Sequence, residues 1–384
     1  MTTKVILGAV LLSSALMVQA QDKKVFDTPK FYGYGMMQYT SNFQSGNKSN
    51  SFNLRMIRLN VSGKILGEFE YRLQGQVNGN TSTLGSSPRI VDMYVEWQKY
   101  DFFKVKVGQF KRAFTFENPM HPIDEGFMSF SQVISKLSGM TDRTGEHASN
   151  GRDIGIQLQG DFLKNATGRN LLHYQVGVYN GQGINTADVD NKKDVIGGLW
   201  VMPIKGMRIG AFGWVGSQAR NGSYTYCDNE GNKILDATGN TITKTGIVSL
   251  NQYRYALSAE YKQKEFQLRA EYIHSTGYGF STTDQNTSNE KDANINFADG
   301  NKADGFYAAA IVPIVPNKLQ AKARYDLYRK RADWSTSKTQ YEAGVNYFFN
   351  KNLQLNAEYA FVNDRANTLK QNYSLLDVQL DVRF

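Results

Sequence analysis

Charged side chains in this chain of 384 residues recur at alternate positions inside otherwise apolar stretches, and that spacing narrows the chemistry available. Lys104 and Lys106 lie two apart on one side of an extended segment and lead into Lys111 and Arg112, while Arg152 opens the next segment. Arg58, Arg72, Lys322 and Arg324, with Arg208, Arg254, Lys262, Arg269 and Arg383, fall on the corresponding polar side of other segments. The same side carries Glu68, Glu70, Asp92, Glu96, Asp153, Asp161, Glu260, Glu271, Asp326, Glu342, Glu358, Asp377 and Asp381. Both signs on one wall suit the lining of an aqueous passage, where charges act on solutes at short range. They equally suit cross-strand pairing that stiffens a sheet.

Enzymatic chemistry is poorly supplied. His121, His147, His173 and His274 are scattered, and the lone Cys227 completes neither a metal site nor a disulfide. No glycine-rich phosphate loop ending in Lys-Ser/Thr is present. Asp188-Val189-Asp190-Asn191 with Asp194 lacks the Gly and terminal Glu of a calcium loop and reads as an ordinary acidic turn. Glu68 and Glu70 share a strand face without a concave apolar setting for acid–base work. No cofactor and no nucleic-acid partner are implied.

The elements that position these charges are strands. With 22 Tyr, 22 Phe and 35 Gly against 7 Pro, and a negative mean hydropathy of -0.48, the composition favours many strands joined by polar loops. Beyond the N-terminus no apolar run approaches the ~20 residues of a spanning helix, which excludes a helical membrane protein but not a barrel. Period-two alternation marks about sixteen segments between 31 and 384. Leu353, Leu355, Ala357, Tyr359 and Phe361 oppose Gln354, Asn356 and Glu358; Leu376, Val378, Leu380 and Val382 oppose Asp377, Gln379 and Asp381. Short turns such as 203–206 and 350–352 alternate with long polar loops at 111–150, 181–194, 217–251 and 276–303. The pattern predicts an all-β fold: a transmembrane antiparallel β-barrel of about 16 strands, with tight periplasmic turns and long extracellular loops.

Targeting agrees with that plan. Lys4, the apolar stretch Val5–Val18 and the small-residue end Val18-Gln19-Ala20 read as a signal peptide spanning 1–20. Residues 21–30 follow as a periplasmic N-terminal segment and 31–384 as the barrel. Removing Lys4 from the formal net charge of +9 leaves +8. Aromatic residues bracket the apolar faces, as Tyr253, Tyr255 and Tyr261 do around Leu257 and Ala259, which suits the two membrane interfaces. Terminal Phe384 resembles the aromatic end of bacterial outer-membrane proteins. Phe306 to Val312 is apolar on both faces, consistent either with a subunit interface or with a covered inner wall.

One stretch is more specific. Val107-Gly108-Gln109-Phe110-Lys111-Arg112, Phe114-Thr115-Phe116-Glu117-Asn118-Pro119-Met120, Asn150-Gly151-Arg152-Asp153-Ile154-Gly155 and Val178-Tyr179-Asn180-Gly181 resemble the phosphate-selective porin O and P family. The resemblance implies a sixteen-stranded barrel, usually a homotrimer, whose third outer loop folds inward as a constriction. That loop is 111–150 here, with a helix-like run from Phe127 to Leu137. In the best known members arginines and a lysine cluster select phosphate; this sequence carries no matching arginine ladder.

The expectation is therefore a passive outer-membrane porin for small hydrophilic solutes, in contact with outer-membrane lipid and leaning toward anions such as phosphate. Lys104, Lys106, Lys111, Arg112 and Arg152, with Arg58, Arg72, Lys322 and Arg324, are its expected pore-lining residues. Glu117, Asp124, Glu125, Asp142 and Glu146 on the loop oppose them. The alternatives are a non-conducting structural or adhesive barrel plugged by the loop, and an outer-membrane enzyme acting on lipids.

Overall fold

The computed structural model describes residues 25–77, 88–145, 149–226, 228, 232–280 and 295–384. The signal-peptide segment 1–20, Glu146 and His147 lie outside the described residues. Sixteen antiparallel strands close on themselves. In chain order the first eight are β1 (Lys30–Asn42), β2 (Ser49–Ile65), β3 (Phe69–Val77), β4 (Arg89–Tyr100), β5 (Phe103–Lys111), β6 (Arg152–Lys164), β7 (Asn170–Tyr179) and β8 (Asp194–Val201). The wall continues through β9 (Met207–Thr225), β10 (Thr243–Gln263) and β11 (Phe266–Thr276). Two short strands, β12 (Gly279–Phe280) and β13 (Ile295–Asn296), pair only with each other outside the wall. The last five are β14 (Lys302–Val315), β15 (Leu319–Arg329), β16 (Ser337–Phe348), β17 (Leu353–Asp364) and β18 (Asn372–Arg383). Closure comes from β1 against β18, in register from Tyr34–Arg383 to Asn42–Leu375.

Alternation sets the facing. Along β17, Gln354, Asn356 and Glu358 turn inward and are buried, whereas Tyr359 and Phe361 face out and are exposed. Leu257, Val345 and Leu199 on other strands are likewise exposed on the outer surface. With every ladder bond made inside a closed wall, no backbone polar group need face hydrocarbon. The inward polar residues are less wet than their chemistry suggests. Asn356 donates to Asp381 at 2.6 Å and Gln379 donates to the same carboxylate at 2.7 Å, so these side chains form a network rather than a hydrated lining.

One loop expectation changes, and one open reading of a strand is resolved. β9 and β10 are 19 and 21 residues long, and their pairing runs out to Thr225–Thr243, so much of 217–251 is a projecting hairpin. Above the membrane neither strand face needs to be apolar, which removes the alternation that would have revealed it; Asn221-Gly222-Ser223 is an example. The doubly apolar stretch of β14 has a clear cause. Tyr307, Ala309 and Ile311 are buried on the inner face, packed with Phe127, Ile134 and Leu137 of the loop after β5. It is a covered inner wall.

The facing assignment is testable by substitution. Leu257→Lys puts a charge against hydrocarbon and is expected to cost about 2 to 4 kcal/mol near the midplane. Gln175→Lys on the inner face is expected to assemble like the parent chain. Barrel yield measured by heat-modifiable electrophoretic mobility separates the two, and equal yields would overturn the assignment.

Candidate functional site

The connection from β5 to β6 turns into the barrel. Its first turn is a 3-10 segment at Pro122–Asp124, and its helix, α1 (Gln132–Leu137), starts at Ser131, whose Oγ accepts the Ile134 N–H at 3.4 Å. Apolar residues pull it against the wall: Phe116, Phe127, Val133, Ile134 and Leu137 are buried with Phe212, Trp214, Ile273 and Tyr307. Burying that much apolar surface is the main favourable term.

Wall charges then fix its position. Arg254 pairs with Asp142 at 2.7 Å, Arg269 with Glu125 at 3.0 Å, and Arg324 with Glu342 at 2.6 Å and Glu125 at 3.5 Å. Lys322 pairs with Glu358 at 2.8 Å and donates to the Gly126 carbonyl at 3.0 Å. Glu271 accepts the backbone N–H groups of Phe116 and Glu117 at 3.1 and 2.7 Å, and Asp326 accepts that of Gln132 at 2.7 Å. Glu117 accepts the N–H and hydroxyl of Ser131 at 2.8 and 3.0 Å; burial, with Glu125 nearby, pushes its carboxyl up to about 7. Arg383 holds Asp124 at 2.8 Å. The acidic residues Glu117, Glu125 and Asp142 are thus buried in the seat of the loop, and among the described members of this set Asp124 alone stays half exposed.

The motif residues form the root of the loop. Gly151 has φ +72°, and a Cβ there would strike the Asn118 side chain, so glycine is required. The Gly151 carbonyl accepts the Arg112 N–H at 2.9 Å. Arg152 reaches back to Asp92 at 2.5 Å, and Asp153 binds the Arg112 guanidinium at 2.8 Å and the Gly181 N–H at 3.0 Å. Arg112 also lies over the Trp214 ring at 4.9 Å.

Seven of the nine expected pore-lining cations fall into two groups, with Lys104 and Arg58 outside both. Lys322 and Arg324 are sealed beneath the loop. On the opposite wall, between β3 and β7, Arg72, Lys106, Lys111, Arg112 and Arg152 border one cavity of about 170 Å³ together with Asp92. Lys104 lies apart, 3.5 Å from Asp161. Lys106 stands 3.6 Å from Glu96, and Arg112 and Arg152 are neutralised as described. Three cations have no carboxylate partner among the described residues. Arg58 donates to Tyr34 and Gln76 at 3.2 and 3.3 Å, Arg72 to His121 at 3.2 Å, and Lys111 to the carbonyls of Asn118 and Met120 at 2.6 and 3.1 Å.

Sequence reasoning passed over His121 because no spacing rule connects it to Arg72 or Lys111. A guanidinium only donates, so Nε2 of His121 accepts and Nδ1 carries the proton. Burial and the charges of Arg152, Lys111 and Arg72 push this imidazole down to about 3, keeping it neutral.

A closed antiparallel barrel with an apolar exterior, a charged interior and a third outer loop folded inward is the architecture of an outer-membrane porin, and the chain is a porin-like outer-membrane barrel. Residues 32–180 match the family model of phosphate-selective porin O and P, the stretch that carries the motif residues just described. No curated protein matches the chain. Among solved structures, the anion-selective porin from Comamonas acidovorans is similar with a TM-score of 0.60 at 14% identity, covering 93% of this chain and 98% of that one. OmpF of Salmonella typhi, solved with daunomycin, gives a TM-score of 0.60 at 13% identity over 93% of this chain and 97% of its own. The outer membrane channel DcaP of Acinetobacter baumannii gives 0.58 at 11% identity, covering 96% and 100%. At these identities the likeness is one of fold.

The His121 environment has a pH signature. Its proton affinity falls on folding from the ordinary 6.5 to about 3, so the unfolded chain binds a proton that the folded one does not. His121 therefore disfavours the folded state progressively as pH falls from 6.5 toward 3. Glu117, raised on folding, acts in the opposite sense between its ordinary 4.5 and about 7. A His121→Gln variant is expected to lose less thermal stability than the parent between pH 6.5 and 3, measured as the heat-unfolding midpoint in detergent. Identical pH slopes would show that the imidazole is not held neutral.

Proposed function

We propose that the protein is a passive diffusion channel for small hydrophilic solutes with a preference for anions, phosphate among them. The observation that carries this reading is the division of the lumen. On the side of α1 the basic residues are matched by carboxylates, whereas Arg58, Arg72 and Lys111 on β2, β3 and β5 have none among the described residues. An uncompensated cluster within a Debye length of about 8 Å raises the local concentration of anions at the narrowest level. The family match and the barrel fold point to a channel rather than to an enzyme. The loop 111–150 is its constriction and residues 1–20 its cleaved signal peptide. A homotrimer fits too, since one solved structure of Vibrio cholerae OmpT, with a TM-score of 0.53 at 13% identity, is of a trimer form.

A non-conducting barrel is the second reading, favoured by the density of bonds that hold the loop across the lumen. Planar-bilayer conductance decides between them, because a plugged barrel passes no current. Removing 120–140 is expected to raise single-channel conductance markedly, and unchanged conductance would place the loop outside the path. Replacing Arg58, Arg72 and Lys111 together by Gln is expected to shift the zero-current potential in a salt gradient toward cations. A parent channel that already prefers potassium to chloride would overturn the anion preference and leave the porin reading.

A further inference from the structure

The cavity between β3 and β7 is furnished for more than a small inorganic anion. Part of its lining consists of cationic and donor groups with bonding capacity to spare. Arg72 Nε and His121 Nδ1 are both buried, with no partner among the described residues. Each can only donate, given that His121 Nε2 accepts from Arg72. Lys111 sits beside them, using two of its three N–H groups on carbonyls of the loop. Buried donors left unpaired are costly, and an oxyanion satisfies them.

The rest of the lining has a different character, and it begins at Arg72 itself, whose guanidinium is 5.9 Å from the centre of the Tyr94 ring. Tyr94 and Phe110 meet edge to face at 6.1 Å, with Lys106 over both rings at 4.9 and 5.5 Å. Beside them the amides of Gln157, Gln159 and Gln175 line the same cavity. Gln157 is committed to Tyr179 and Gln159, and Gln159 to Glu96. Gln175, directly opposite Gln159 in the β6–β7 ladder, is only half buried and its amide has no hydrogen-bond partner among the described residues. Amides that give and accept hydrogen bonds, next to aromatic surface, match a ring that carries hydroxyls on its edge and C–H groups on its faces. Inorganic phosphate would leave these rings and amides unused, and a neutral sugar would leave the cations without a counter-charge.

We propose that the cavity is a subsite for an acidic sugar, a single hydroxylated ring bearing one phosphate or carboxylate, with the anion at Arg72, Lys111 and His121 and the ring along Tyr94 and Gln175. The volume of about 170 Å³ limits it to one ring, being below the ~300 Å³ at which pockets for larger ligands begin. The proposal rests on the anion-channel reading and specifies its solute.

The test is current block in planar bilayers by the full mature chain, comparing glucose 6-phosphate, glucuronate, inorganic phosphate and glucose. The acidic sugars are expected to block at roughly tenfold lower concentration than phosphate, as one or two added hydrogen bonds would supply. Glucose should not block. Block by only one of the two acidic sugars would support the subsite and identify the head group. Gln175→Ala and Tyr94→Leu are each expected to remove the gap between acidic sugars and phosphate, and Arg72→Gln to weaken block by every anion. If phosphate and the acidic sugars block the parent channel equally while anion preference is retained, the ring subsite is wrong and the channel reading stands. A parent channel that prefers potassium removes the reading on which the proposal rests. The comparison on the parent chain decides the matter even if a variant fails to assemble.

Discussion

Charge matched to charge across the inside of the barrel is the constraint on which the rest of this structure depends. A wall of sixteen strands turns every second residue inward, and many of these are charged side chains that are costly to bury unpaired. The third loop resolves this on one side. It brings Glu125 and Asp142 to Arg269 and Arg254, and its backbone N–H groups to Glu271 and Asp326. Each of these groups would be costly to bury alone, and losing one partner of such a buried pair typically costs about 3 to 5 kcal/mol. Loop position and wall charge are therefore a single system.

The consequence is an asymmetric interior. Apolar packing of Phe127, Ile134 and Leu137 on Tyr307 and Ile311 draws the helix of the loop toward β11, β14 and β15, while the wall from β2 to β6 meets the loop through hydrogen bonds from Arg72 to His121 and from Lys111 to the carbonyls of Asn118 and Met120. Cations that would cancel against carboxylates elsewhere stay uncompensated there, held instead by neutral acceptors: a phenol, an amide, an imidazole and backbone carbonyls. Neutral partners fix the geometry of a cation without supplying a counter-charge.

The motif Gly151-Arg152-Asp153 connects the two halves. Glycine permits the turn against Asn118, Arg152 ties the returning strand to Asp92, and Asp153 locks Arg112 on the side of Trp214. These residues act as the clasp of the loop rather than as a bare charge in the path. A spacing rule that reads them as pore cations sees their charge but not the partner that cancels it.

What the amino-acid sequence determined by itself was the wall. Period-two alternation is a local property, so the sixteen strands, their inward and outward faces and the alternation of short and long connections were legible in single segments such as Leu353–Phe361. The inward fold of the loop was legible through a resemblance carried by a few clustered residues. Partnership was not, because Arg254 and Asp142 are 112 positions apart and Met128 and Glu358 are 230 apart, and nothing in local spacing says which charge will meet which. Only the tertiary structure decided that Lys322 and Arg324 are sealed, that Arg58, Arg72 and Lys111 are not cancelled, and that His121 stands between them. A charge in a sequence has a sign; its field depends on the neighbours that closure of the barrel brings within a few ångströms.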